Sequence, residues 1–226
     1  MFRLFPAVFF IISACYQKSK DTPLPVALFN GKDLSGWKIY RNLPNNSWEV
    51  QDGLLHCRPF SDAEENHRSH LMTTRTFDNF ELWFEWKISQ QGNSGILFRV
   101  SEEEPEPHFT GPEYQLLDDE HYPGDVPDNR KTASCFDLFA PGNKTLYPAG
   151  EWNNGKIIAR GNSIHYWLNG KEVLHYEIGS HDWNERIAKS KWKDFPLFAT
   201  FTRGHIVLQD HGNEIWFRNL YLTELK

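Results

Sequence analysis

Positive charge is scarce and scattered in this 226-residue chain: 24 lysines and arginines stand against 30 aspartates and glutamates, for a formal net charge of −6. No basic run occurs, so the electrostatic footprint that a nucleic acid or an anionic membrane surface would need is missing. Cysteine is limited to positions 15, 57 and 135, with none of the close spacings of zinc or dithiol redox sites. Helical periodicity is confined to one stretch, Asp182 to Lys193, with Asp182 as candidate N-cap, and reads as a short surface helix. Internal repeats and low-complexity tracts are absent. Neutral, hydroxylated ligands such as sugars remain open.

The one sustained apolar run, Leu4 to Ile12, is followed by Ser13-Ala14-Cys15. It is too short to cross roughly 30 Å of hydrocarbon as a helix and fits an export signal. Ile11-Ile12-Ser13-Ala14-Cys15 resembles a bacterial lipobox, with Cys15 as the lipidated residue. The expectation is a signal peptide over residues 1–15, a tether over 16–25 and one domain over 26–226. The protein would be an exported lipoprotein, periplasmic or attached to the outer membrane, meeting membrane only through that anchor. Export permits a Cys57–Cys135 disulfide without requiring one.

What the chain has in quantity is aromatic residues at 15%, together with 15 glycines and 13 prolines. From Pro23 onward, short apolar segments alternate with turn residues. In Asn79 to Ser89, Phe80, Leu82, Phe84, Trp86 and Ile88 alternate with polar or exposed neighbours, a period-two strand with one core face. Similar runs cover Trp48 to Val50, Leu54 to Cys57, Ile96 to Val100, Glu113 to Leu117, Ser134 to Phe139, Lys156 to Arg160, Ile164 to Leu168, His205 to Gln209 and Glu214 to Leu222. Asp52-Gly53 and Asn169-Gly170 supply the positive φ angles of tight hairpins. Many strands and almost no helix predict an all-β, two-sheet antiparallel jelly-roll sandwich with one short helix.

In a sandwich the phase opposite the apolar one faces outward. That parity places Arg99, Glu113, Gln115, Asp137, His165, Trp167, Gln209 and His211 outward, and on one curved sheet they would form a sugar-binding face. Amides and carboxylates bond hydroxyls, an indole stacks on a pyranose, and His with Glu or Asp moves protons near neutral pH. Solvation alone also makes outward positions polar. Asp118, Asp119 and Glu120 continue into a loop through Tyr122-Pro123-Gly124, which reads as a solvated acidic rim with a calcium site as the alternative.

Leu28-Phe29-Asn30-Gly31-Lys32-Asp33-Leu34-Ser35-Gly36-Trp37, Gly92-Asn93-Ser94-Gly95-Ile96, Gly111-Pro112-Glu113-Tyr114-Gln115, Gly150-Glu151-Trp152-Asn153 and Trp167-Leu168-Asn169-Gly170, in that order, resemble the 3-keto-disaccharide hydrolase domain family from about Val26 to Leu225. The resemblance implies a concanavalin A-like, glucanase-type jelly roll that cleaves glycosides oxidised to a ketone at C3. The ketone acidifies the C2 proton, so a modest base can remove it and the C1 oxygen leaves by elimination, after which water adds. The roles expected are Glu113 or His211 as base, Asp137 as electrostatic partner or acid, and Arg99, Gln115 and Gln209 on hydroxyls or enolate. His165 and Trp167 would line the ring subsite. A divalent metal on Glu113 and His211 is a further possibility, since histidine suits transition metals. Two rival classes are a conventional glucanase-like glycosidase and a non-catalytic carbohydrate-binding module. The first lacks its E-x-D-x-x-E strand, because Glu113-Tyr114-Gln115 carries an amide at the second position.

Overall fold

The computed structural model describes residues 23–63 and 65–226. The leader and Cys15 lie outside the described residues. In chain order the strands are β1 (Val26–Ala27), β2 (Trp37–Ile39), β3 (Trp48–Gln51), β4 (Leu54–Cys57), β5 (Leu71–Thr73), β6 (Phe80–Ile88), β7 (Asn93–Val100), β8 (Glu113–Leu117), β9 (Asn153–Arg160), β10 (Ser163–Leu168), β11 (Lys171–Glu177), β12 (His205–Leu208) and β13 (Ile215–Glu224). They form two antiparallel sheets, one in the order β11-β10-β9-β6-β13-β4-β3 with β1 added on β13, the other β2-β5-β12-β7-β8. This is the expected sandwich.

Its core is the apolar phase of both sheets: Phe80, Leu82, Phe84, Trp86 and Ile88 of β6 meet Ile96, Phe98, Tyr114, Leu116, Ile206 and Leu208 of the smaller sheet. Each large side chain so buried contributes on the order of 2 kcal/mol. The hairpin turns fall where the dipeptides require, with φ of 52° and 77° at Asp52-Gly53 and 46° and 83° at Asn169-Gly170. Helix α1 is His181–Lys189, capped by the Ser180 hydroxyl accepting from the Trp183 amide; its cap lies two residues before the expected Asp182 and its end four residues before Lys193. It is more than a surface element. Trp183 stacks on Phe198 at 6.0 Å and Trp192, just past the helix, stacks on the same ring at 4.2 Å.

Three local expectations fail, each for a stated geometric reason. Strands β1, β2 and β5 escape a periodicity reading because two or three residues show no alternation, and the edge strand β11 because most of its residues face solvent. The segment from Ser134 to Phe139 is a series of turns instead of a strand: Ala133 and Asp137 both take φ of 64°, and the Leu138 and Phe139 amides donate back to the Cys135 carbonyl. Strand β7 carries a bulge opposite β12, with Arg99 at φ 55°. One extra residue reverses the faces that follow. Val100 accordingly joins a small outer cluster with Tyr40, Met72, Leu97 and Val207, and Arg99 turns inward.

Cys57 and Cys135 are both buried free thiols. Burial pushes the Cys135 thiol up to about 12, so it is protonated and unreactive at neutral pH.

Candidate functional site

The outer side of the smaller sheet opens into a cleft of about 640 Å³. Glu113 and Gln115 of β8, Asn93 of β7 and Gln209 just after β12 make its floor. Its sides hold Arg68, His70, Asp210 and His211 together with Glu106, His108, Phe136, Lys191 and Trp192, and the exposed Phe60 adds to the lining. Four of the residues predicted by parity thus meet here: Glu113, Gln115, Gln209 and His211.

The other four lie elsewhere, which corrects the single-face expectation. Arg99 is 2% exposed and donates to the Asp78 and Gly161 carbonyls, a consequence of the bulge that turns it inward. Asp137 sits in the turn that replaces the expected strand and bonds the Arg130 Nε at 2.7 Å, outside the cleft lining. His165 and Trp167 do face outward, but β10 belongs to the larger sheet and so points them to the opposite side of the molecule. Parity reports a face of a sheet and says nothing about which sheet.

Glu113 is the chemical centre of the cleft. Its side chain reaches back over β7 so closely that a Cβ on Gly95 would stand 1.9 Å from Oε1, which is why the loop-to-strand segment Gly92-Asn93-Ser94-Gly95 needs glycine at its last position. Oε1 is buried without a hydrogen-bond partner. Burial pushes the carboxyl up to about 8, opposed only by the Lys191 ammonium, so most of it carries a proton at pH 7. Lys191 is itself drawn below its usual range by burial, against the pull of Asp137 and Glu113, and its Nζ rests 4.9 Å from the Phe136 ring and 4.5 Å from that of Trp192.

Around this pair the histidines differ in how far they are committed. The Asp210 amide donates to His70 Nδ1 at 3.1 Å, which leaves Nε2 to carry the proton toward Glu106 at 3.2 Å. That bond to His70 in turn holds Glu106 below the usual carboxylate range. His108 is lowered to about 4 by burial and by Lys191, and His211 is lowered by burial, so both imidazoles are neutral at pH 7. Asp210 is an anchor for this wall: it accepts from Arg68 at 2.6 Å, from the Ser47 hydroxyl at 2.6 Å and from the Gly212 amide at 2.9 Å. The floor amides are also tied, Gln115 Nε2 donating to Asn93 Oδ1 at 2.8 Å.

Among the described residues no three His, Cys, Asp or Glu side chains gather to hold a metal ion. Glu113 and His211 therefore have no third side chain of these types beside them. The acidic loop is likewise committed to structure. Asp118 accepts from the Gln91 amide at 2.8 Å and meets His121, while Asp119 accepts from the Thr132 amide at 2.8 Å and pairs with Lys144 at 2.7 Å.

His70, Glu106, His108, Lys191, Trp192, Phe60 and Asn93 escaped the sequence reading because they sit in connections or at strand ends, where parity has no meaning. Asn93 and Gly95 had a signal in their shared Gly-rich segment. Lys191 and Trp192 fall within the stretch expected as a surface helix, Asp182 to Lys193, which carries no signal for a cleft residue.

A two-sheet antiparallel sandwich with a polar, aromatic-walled cleft on one sheet defines the protein as a jelly-roll protein with a concave site. The match to the 3-keto-alpha-glucoside-1,2-lyase-like domain over residues 25–223 is more specific: the chain belongs to that family. A 3-keto-disaccharide hydrolase of Bacteroides thetaiotaomicron is 30% identical over 229 residues, covering 88% of this chain and 78% of the relative. A candidate glycosyl hydrolase of Parabacteroides distasonis, known as a crystal structure, is 34% identical and superposes with a TM-score of 0.81, covering 89% of this chain and 94% of that one. The carbohydrate-binding module CBM66 of Bacillus subtilis shares the fold alone, at 13% identity, a TM-score of 0.53 and coverage of 84% and 96%. The protein is accordingly a glycoside-acting member of its family.

Proposed function

We propose that the cleft cleaves 3-keto-glycosides by elimination and hydration, with Glu113 as the proton donor and neutral His211 as the base. One observation carries this reading: Glu113, on the lining of the cleft, is a desolvated carboxyl without a hydrogen-bond partner and is kept mostly protonated at pH 7. His211 takes the C2 proton, and the electron pair moves toward the C3 oxygen as an enolate facing the Lys191 ammonium. Collapse of the enolate expels the C1 oxygen, which receives the Glu113 proton. Water then adds to C1 of the enone, giving a proton to the Glu113 carboxylate, while His211 returns its proton to C2. The products are a 3-keto-sugar and the free alcohol, and both catalytic groups are restored. Asp137 acts here only on Lys191, whose charge it favours. Gln115, Gln209 and Asn93 bond ring hydroxyls, with Phe60 and Trp192 against the ring faces.

A conventional glycosidase would need two available carboxylates about 5 to 9.5 Å apart. In this cleft Glu106 is engaged by His70 and Asp210 is saturated, so one carboxyl stands free. The test is release of aglycone from a 3-keto-glucoside beside the unoxidised glucoside. Turnover confined to the keto compound and lost in Glu113→Gln is expected, and comparable turnover of both compounds would reject the elimination route. The proposed setting is an exported lipoprotein, supported by Ile-Ile-Ser-Ala-Cys at residues 11–15. Incorporation of labelled palmitate that disappears in Cys15→Ser is the expected outcome.

A further inference from the structure

The far side of the molecule carries a second constellation that the cleft does not use. Pairing registers align Tyr221 of β13 opposite Trp83 of β6, Trp83 opposite Lys156 of β9, Lys156 opposite Trp167 of β10, and Trp167 opposite Glu172 of β11. These five side chains form one row running across the strands on the outer face of the larger sheet. From Tyr221 to Trp167 it covers three strand spacings, about 14 Å.

The row is built, and its rings are open. Trp83 is 40% exposed and Tyr221 42% exposed, an unusual pair of large aromatics to leave facing water at the centre of a sheet. Lys156 Nζ lies 4.6 Å from the Trp83 ring and 4.0 Å from that of Trp167, wedging the two indoles into fixed orientations. Trp167 is half-buried, its Nε1 shielded from solvent without an acceptor. Two residues along the strands, Thr223, Glu81, Ile158 and His165 border the row on one side and Arg218, Glu85 and Asn154 on the other, with Asn219 Nδ2 donating to Glu85 Oε1 at 3.0 Å. A groove of about 800 Å³ lies over Trp83 and Tyr221, a second of about 380 Å³ lies over Trp167 and His165, and Glu81 borders both.

We infer that this face is a binding site for a neutral oligosaccharide, laid across the strands with its sugar rings on Tyr221, Trp83 and Trp167, and separate from the cleft. Aromatic faces accept the apolar faces of sugar rings, while the amides and carboxylates on either side accept and donate to equatorial hydroxyls. Charge selects against other occupants. Arg218 pairs with Glu85 at 2.6 Å and Lys156 faces Glu81 at 3.9 Å, so the face holds no uncompensated basic cluster to attract an acidic glycan or a phosphate-rich surface. Such a site would keep the enzyme on a polymer while the cleft works on small glycosides.

Titration of the full chain with maltohexaose and with cellohexaose, followed by calorimetry, tests this. At least one of the two probes is expected to bind wild type and Glu113→Gln with equal affinity. Trp83→Ala is expected to weaken it by about tenfold or more, and Trp83→Phe to retain most of it. Should Trp83→Ala not fold, Tyr221→Ala carries the same expectation. The proposal is overturned if neither probe binds at millimolar concentration, if Glu113→Gln removes the binding, or if sedimentation shows the face covered by a second copy of the chain.

Discussion

The two outer faces of the sandwich carry similar side chains and treat them in opposite ways. On the larger sheet every acid beside the aromatic row has a partner: Glu85 has Arg218 and Asn219, Glu81 has Lys156 and Trp83, and Glu172 has His165. On the smaller sheet Glu113 has none, and its nearest cation, Lys191, is itself held among aromatic rings. A satisfied, solvated array suits holding a ligand. A desolvated, partnerless carboxyl is costly to keep, and it is tuned for proton transfer near neutral pH.

The sharpest way to break this contrast is to exchange the fates of the two faces. Glu113→Gln keeps the shape and removes the proton, so kcat on a 3-keto-glucoside should fall about 10³-fold, while Trp83→Ala should leave kcat on the same small substrate unchanged. Equal losses in the two variants would dissolve the distinction. Gly95→Ala comes next. Its methyl group would occupy the place of Glu113 Oε1, so a loss of roughly 10²-fold in kcat/KM is expected with the fold retained by circular dichroism.

Stability sharpens the comparison from another side. The folded-state carboxyl of Glu113 is raised to about 8 from an ordinary 4.5, so the folded protein binds more protons than the unfolded chain between those values. Its contribution is therefore lost as pH rises through that window and stays lost above 8. Glu113→Gln should stabilise the protein by about 2 to 4 kcal/mol at pH 9 and by much less at pH 5, read by denaturant unfolding. Glu85→Gln on the other face, where the carboxylate is half exposed and paired, should change stability by about 1 kcal/mol or less at either pH.

The smallest expected effect concerns Lys191. Its ammonium opposes the upward shift of Glu113, so Lys191→Met should move the alkaline limb of the kcat/KM profile to higher pH as well as lower its maximum. An unmoved limb would mean that the limb belongs to some other group.

The fold was legible in residues such as Phe80 to Ile88, whose alternation states a face, and Asn169-Gly170, whose conformational needs state a turn. The site was half legible. Glu113, Gln115, Gln209 and His211 were found because they lie on or just beyond strands whose parity holds. Arg99 was misplaced by a single-residue bulge, Asp137 by a turn with strand-like composition, and His165 and Trp167 because alternation does not encode the sheet to which a strand belongs. His70, His108 and Lys191 reach the cleft through long-range packing of connections, which local pattern does not carry. The acid-rich loop misled in the other direction: Asp118 and Asp119 are held by backbone amides and Lys144 for structural ends.

The most direct test of the central claim is the titration of the Glu113 carboxyl itself, followed by carbon-13 chemical shift or infrared difference spectra of wild type against Glu113→Gln. The carboxyl is expected to lose its proton near pH 8. Ionisation between pH 4 and 5, the range of an ordinary glutamate, would contradict the account.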